Sequence, residues 1–251
     1  QPAQPEKTMK SSMDINCDMG ESFGNWNMGN DEGMMPRITT ANVACGFHAS
    51  DPLTMLETVK LAKKHKVEVG SHPGLPDLLG FGRRAMNITP EDAHAYVVYQ
   101  TGALQAALRV HGMRLHHIKP HGALYGMATR DDAVANAICD VAQVFEVPLF
   151  GMAGTVQDAV YRSRGVPFVS EFYADLDYNE DGMVIITREH EAVEPRASAA
   201  RVLRAIEQGK VKSVAGTDVS VKVETICVHS DTPGAVAVAS AVRETVKAHL
   251  R

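Results

Sequence analysis

The stretch HHIKPHGALYG, residues 116–126, sets the pattern for the whole chain. It opens as the end of a β-strand over 115–119 and gives out into a turn set by Pro120 and Gly122. His117, Lys119 and His121 stand at alternate positions, and a period of two points them the same way. Two imidazoles and an ammonium are costly to bury without partners. Their convergence where a strand ends predicts a solvated or ligand-filled cleft.

The same arrangement recurs on either side of it. Apolar or β-branched runs at 13–17, 38–45, 67–71, 115–119, 147–151, 166–171 and 224–228 predict strands, and amphipathic segments between them predict helical crossovers in a parallel sheet. Helix starts are marked at Asp51-Pro52, at Thr89-Pro90 with Asp92, at Thr155 with Asp158, at Glu194-Pro195 and at Thr232-Pro233. Nearly every strand is followed by a polar or glycine-rich cluster: NCDMGE (16–21), ACGFHASD (44–51), GSHPG (70–74), GMAGT (151–155), SEFYAD (170–175) and VHSDTP (228–233). An open doubly wound sheet concentrates its chemistry at one switch point, whereas a barrel collects it from many strand ends around one mouth. The spread predicts an α/β fold, a distorted TIM-like (β/α) barrel of about seven strands. The acidic segment 172–194 reads as a lid-like excursion with a short hairpin around Asp181-Gly182.

With 251 residues, 45% hydrophobic and 22% charged, the chain is long enough for one substantial core, and nothing in it reads as a linker. A single domain over 13–251 is expected, preceded by a disordered polar lead-in over 1–12. A net charge of −5 argues against nucleic acid or an anionic membrane as the main partner. Cys17, Cys45, Cys139 and Cys227 show no CxxC pairing and suit reduced thiols in the cytoplasm. No apolar run approaches a membrane span.

The first strand sets Asp14, Asn16 and Asp18 on one face, with Glu21 following in the turn. Closely placed carboxylates split their pKa values, so that one can hold a proton while another acts as base or metal ligand. Asn42 and His48 follow the second strand, where Asp51 is best explained as the cap of the next helix. His72 ends the third strand. Asp77, Arg83 and Arg84 lie beyond it, the arginines able to clamp an anion but more often a solvated surface in such a pair. His94, His111, His190 and His249 read as surface residues.

Asp18, His48, His72 and His121 are of the right types for a metal such as zinc, with His117 and His229 as further candidates, but their spacing carries no recognised local signature. There is no G-x-x-x-x-G-K-[ST] loop, no strand-linked G-x-G-x-x-G and no G-x-S-x-G elbow. Any step that consumes ATP therefore points to another chain.

Taken in order, DINCDMGESFG, ANVACGFHASDP, GSHPGLPDLLGFGRR, HIKPHGALYG, EFYADLDY and ICVHSDTPGA closely resemble the LamB/YcsF family from Met13 to the C-terminal helix. The resemblance implies a barrel akin to the glycoside hydrolase/deacetylase superfamily. It also implies ATP-dependent opening of 5-oxo-L-proline to L-glutamate with two partners, 5-oxoprolinase subunits B and C, which would bind most of the ATP and Mg²⁺. On this reading Lys119 stabilises developing negative charge, Asp18 or Glu21 deprotonates water, and His72 or His121 handles the second proton. Asn16, Asn42, His48, Tyr125, Glu171, Asp175, His229 and Asp231 are then the residues expected around the substrate. The chain departs from the family pattern at Leu176, where an arginine is usual, and at Ser230, where a glycine is usual. Two alternatives remain at this level: a stand-alone metal-dependent amidase or deacetylase, and a non-catalytic subunit that binds a carboxylate.

Overall fold

A computed structural model describes residues 13–187 and 191–250. The expected lead-in at 1–12 and His190 lie outside the described residues. Seven parallel strands close into a barrel in the order β1 (Asp14–Met19), β2 (Thr40–Ala44), β3 (Glu68–His72), β4 (Leu115–Ile118), β5 (Leu149–Gly151), β6 (Phe168–Tyr173) and β9 (Thr225–His229), which returns to β1. Every expected strand is present within a few residues. The antiparallel pair β7 (Lys210–Lys212) and β8 (Asp218–Ser220) was not expected. Each strand is three residues long with only its central valine buried, too short to show a period.

The helices α1 (Asp31–Met34), α2 (Pro52–His65), α3 (Pro90–Val110), α4 (Gly122–Ala128), α5 (Asp132–Phe145), α6 (Val156–Ser163), α7 (Pro195–Gln208) and α8 (Ala235–Val246) complete the chain. Asp51 caps α2 by accepting from the Leu53 and Thr54 amides. Thr89 and Asp92 form the reciprocal capping box of α3, and Glu194 caps α7 through Arg196 and Ala197. The start expected at Thr155 is met, since α6 follows it directly, but without the side-chain cap: the Thr155 hydroxyl donates to the Met152 carbonyl, while Asp158 accepts from the Gly154 amide, so both brace the preceding loop. One start is corrected. Thr232-Pro233 is a turn, and α8 begins only after Gly234, at φ 80°.

Period two sorts the first strand sharply. Ile15, Cys17 and Met19 join the apolar layer between barrel and helices, whereas Asn16 and Asp18 turn inward. A second apolar layer joins Ile118, Leu149 and Phe168 to α3, α5 and α6. The inside of the barrel is filled largely by polar side chains, where (β/α) barrels usually hold branched apolar ones. Asn16 donates to Thr225, Asn42 donates to both Asn16 and Asp18, and His117 lies 2.6 Å from Asn42 Oδ1. Gly70 makes room for this layer, since a Cβ there would overlap the His117 ring. The segment after β6 forms the expected hairpin, with Tyr178 bridged to Val184 and Gly182 at φ 76°.

Candidate active site

The strand ends converge as parallel register requires: Asp18 lies beside Asn42 on one flank and His229 on the other. They surround a narrow cleft whose floor and walls include Asp18, His72, Lys119, His121, Tyr125 and His229, with Arg83, Tyr173, Leu176 and Ile186 around the rim. Lys119 is central. Its Nζ lies 3.1 Å from Asp18 Oδ1 and 2.8 Å from Glu171 Oε1, with Cys227 Sγ at 3.2 Å.

This buried charge network splits the carboxylates. Burial alone would push the Asp18 carboxyl up, but His72 and Lys119 hold it well below the usual range. Burial opposes the Lys119 charge too, yet Asp18 and its other neighbours keep that ammonium strongly protonated. Glu21 moves the other way: burial, reinforced by Asp18 and Asp231, pushes it well above the usual range. Thus Asp18 stays ionised where Glu21 tends to hold its proton.

Three imidazoles, His72, His121 and His229, line the cleft, and a fourth, His48, packs behind them. His48 stacks face to face on His121 with ring centroids 3.6 Å apart, and its Nε2 lies 3.1 Å from Glu21 Oε1. Burial pulls both rings well below the ordinary histidine pKa. His229 differs. Burial opposes its charge, but Asp175, 2.9 Å from Nδ1 and also accepting from the His229 amide, outweighs that and raises its pKa. His229 Nε2 then stands 3.8 Å from Asp18 Oδ2.

Residues 13–250 match the LamB/YcsF family. The chain belongs to that family. It is 44% identical over 239 residues to the A component of 5-oxoprolinase from Bordetella pertussis, covering 94% of this chain and 95% of that one. It is also 44% identical over 236 residues to the lactam utilization protein lamB of Emericella nidulans, covering 92% and 93%. The crystal structure of a lactam utilization protein from Thermus thermophilus superposes with a TM-score of 0.87 at 42% identity, covering 94% of this chain and 96% of that one.

Within this LamB/YcsF barrel the residues singled out by sequence fall into two tiers. Asp18, His72, Lys119, His121, Tyr125 and His229 line the cleft. Asn16, Asn42 and Glu171 lie beneath it, buried and bonded to the groups above, while Glu21, His48 and Asp175 stand behind the walls. His117 is corrected: it is fully buried inside the barrel, stacked on Phe150, and does not face a solvated cleft. The arginine pair separates. Arg84 is exposed and held by Asp77, whereas Arg83 pairs with Asp231 at 3.2 Å over the cleft. The candidate metal set also regroups: Glu21, His48, His72 and His121 form one cluster, and Asp18 falls with Cys227 and His229 in another. Sequence reading missed Tyr173 and Ile186. Tyr173 had a signal, as it shares the inward face of β6 with Glu171; Ile186 lies in the excursion after it and had none.

Proposed function

We propose that this chain is the lactam-opening component of an ATP-dependent 5-oxoprolinase, working in the cytoplasm with subunits B and C to convert 5-oxo-L-proline to L-glutamate. The observation that carries this reading is Asp18 at a cleft, 3.1 Å from Lys119 Nζ and flanked by His229, in a chain 44% identical to a 5-oxoprolinase component.

A five-membered lactam is nearly unstrained and its nitrogen is a poor leaving group. Transfer of the ATP γ-phosphoryl group to the amide oxygen, on the partner subunits with Mg²⁺, removes the first obstacle. Water then adds to the ring carbon while Asp18 takes its proton. The C–N bond breaks as the nitrogen gains a proton, and a second water cleaves the resulting acyl phosphate to glutamate and phosphate. His229 is the better donor to that nitrogen, since Asp175 favours its charged form while His121 is held neutral. Within this proposal His229 takes the donor role that the sequence suggested for His72 or His121. Lys119 keeps Asp18 ionised and faces charge that develops on oxygen.

The test is glutamate release from 5-oxoproline, ATP and Mg²⁺ by this chain alone, by the partner pair alone and by all three. Glutamate from the full set only supports the proposal. Glutamate from this chain alone without ATP would replace it with the stand-alone amidase, which the histidine cluster favours.

A further inference from the structure

Glu21, His48, His72 and His121 each bring one ligand atom into a buried volume in which all four atoms lie within 4.8 Å of one another. Backbone carbonyls fix the tautomers of two of the rings. His72 Nδ1 lies 2.8 Å from the Lys119 carbonyl oxygen, which can only accept, so Nδ1 carries a proton, and Nε2, which lies 3.3 Å from Asp18 Oδ2, is bare when the ring is neutral. His121 Nε2 lies 2.7 Å from the Phe81 carbonyl oxygen, so Nε2 carries the proton and Nδ1 is bare. His72 Nε2 and His121 Nδ1 face each other at 2.9 Å. Neutral rings in these tautomers repel at that distance, so either a proton on His72 Nε2, held between Asp18 and His121, or a metal cation beside both nitrogens occupies the gap.

We propose that His72 Nε2, His121 Nδ1 and Glu21 Oε1 form a three-ligand site for a divalent transition metal of the zinc type, open toward the cleft. Zinc–nitrogen and zinc–carboxylate bonds of about 2.0–2.2 Å in a tetrahedral site place ligand atoms roughly 3.3–3.6 Å apart. The 2.9 Å between the two ring nitrogens and the 3.8 Å from His121 Nδ1 to Glu21 Oε1 bracket that spacing. Each ligating histidine already donates its other ring proton to a backbone carbonyl, the contact that orients metal-bound imidazoles. His48 is a positioning residue and not a ligand. Its ring lies parallel to His121, within 4°, so both lone pairs cannot aim at one ion. Its Nε2 instead lies 3.1 Å from Glu21 Oε1, so that once a metal displaces the Glu21 proton it can donate to that carboxylate and turn it toward the histidines. The fourth position faces the cleft, whose lining includes His72 and His121.

This inference does not rest on 5-oxoproline as substrate, and its test reads metal directly. The full chain, stripped with chelator, is titrated with Co²⁺ and followed by the visible absorption of four-coordinate cobalt, then back-titrated with Zn²⁺. The expected result is one Co²⁺ per chain, displaced by one Zn²⁺. His121→Gln and Glu21→Gln should abolish the cobalt spectrum, and His48→Gln should weaken binding by roughly 10–100-fold, as expected when a group behind a ligand is lost. His94→Gln, on the exterior helix α3, should leave it unchanged. Circular dichroism shows whether each variant is folded. Failure of the folded wild-type chain to bind Co²⁺ or Zn²⁺ stoichiometrically would overturn the site and leave a shared proton between His72 and His121. Equal binding by wild type and folded Glu21→Gln and His121→Gln would overturn the ligand assignment.

Discussion

Lys119 reaches across the barrel from β4 to Asp18 on β1, Nζ to Oδ1 at 3.1 Å, with almost none of either side chain open to solvent. A buried cation of this kind is a structural necessity as well as a chemical one, because without it Glu171 loses its ammonium partner and Asp18 keeps only the imidazoles of His72 and His229. Lys119→Met should therefore lose roughly 3–5 kcal/mol of stability and nearly all coupled activity. Asp18→Asn removes the base but leaves Lys119 facing Glu171, so it should lose activity with a smaller loss of stability. Urea unfolding alongside glutamate release separates the two. Equal destabilisation by both variants would contradict this arrangement.

Asp175 should set the protonation of His229. Because the folded-state pKa of His229 is raised, the pair contributes stability below the unfolded value of about 6.5, and that contribution is lost as pH rises through the folded value. Asp175→Asn should lower the His229 pKa, read by NMR titration of the ring. The stability gap from wild type should be widest below the unfolded value of about 6.5 and narrow as pH rises through the raised folded value. If His229 supplies the proton to the leaving nitrogen, the basic limb of the activity profile should move to lower pH in the variant. A gap independent of pH would count against the pairing.

The barrel was legible because alternation within each strand and the polar cluster after it are local signals, readable at NCDMGE as at KPHGALYG. The pairings within the mouth were not. His48 meets His121 and Glu21 only because β2, β4 and the turn after β1 close around one axis, and no spacing along the chain encodes that. The same reason explains His117. Its alternation with Lys119 was read correctly as one inward face, but how deep a residue sits inside a barrel follows from shear and from Gly70 opposite it.

Gly29 and Ser230 should behave as a coupled pair. Gly29 has φ 71°, and a Cβ there would overlap Ser230 Oγ, whose hydroxyl donates to the Asp18 carbonyl at 3.1 Å. Gly29→Ala should cost about 1–2 kcal/mol from the left-handed backbone and a further 1–3 kcal/mol, roughly, from the overlap. Ser230→Gly should recover the second part and not the first. A double-mutant cycle in urea should give a favourable coupling of about 1–2 kcal/mol. Strict additivity would show that the loop moves away from Ser230 instead.

Asp51 provides a pH test remote from the chemistry. One carboxylate oxygen accepts from the Leu53 and Thr54 amides, and the other from the Thr54 hydroxyl and the Gly24 amide, which ties the loop after β1 to the start of α2. These bonds, the Thr54 hydroxyl foremost, lower its pKa to about 2. A depressed carboxylate contributes stability above its unfolded pKa of about 3.9, and the contribution is lost as pH falls through the folded value. Asp51→Ala should thus cost about 1 kcal/mol at neutral pH, with the gap from wild type closing between about pH 4 and pH 2. Asp51→Asn keeps one accepting oxygen but turns an amino group toward Gly24 and Thr54, so it should fall between the two and show no such pH dependence. An Asp51→Ala deficit that persists undiminished at the acid end would mean that the cap acts through packing and not through its charge.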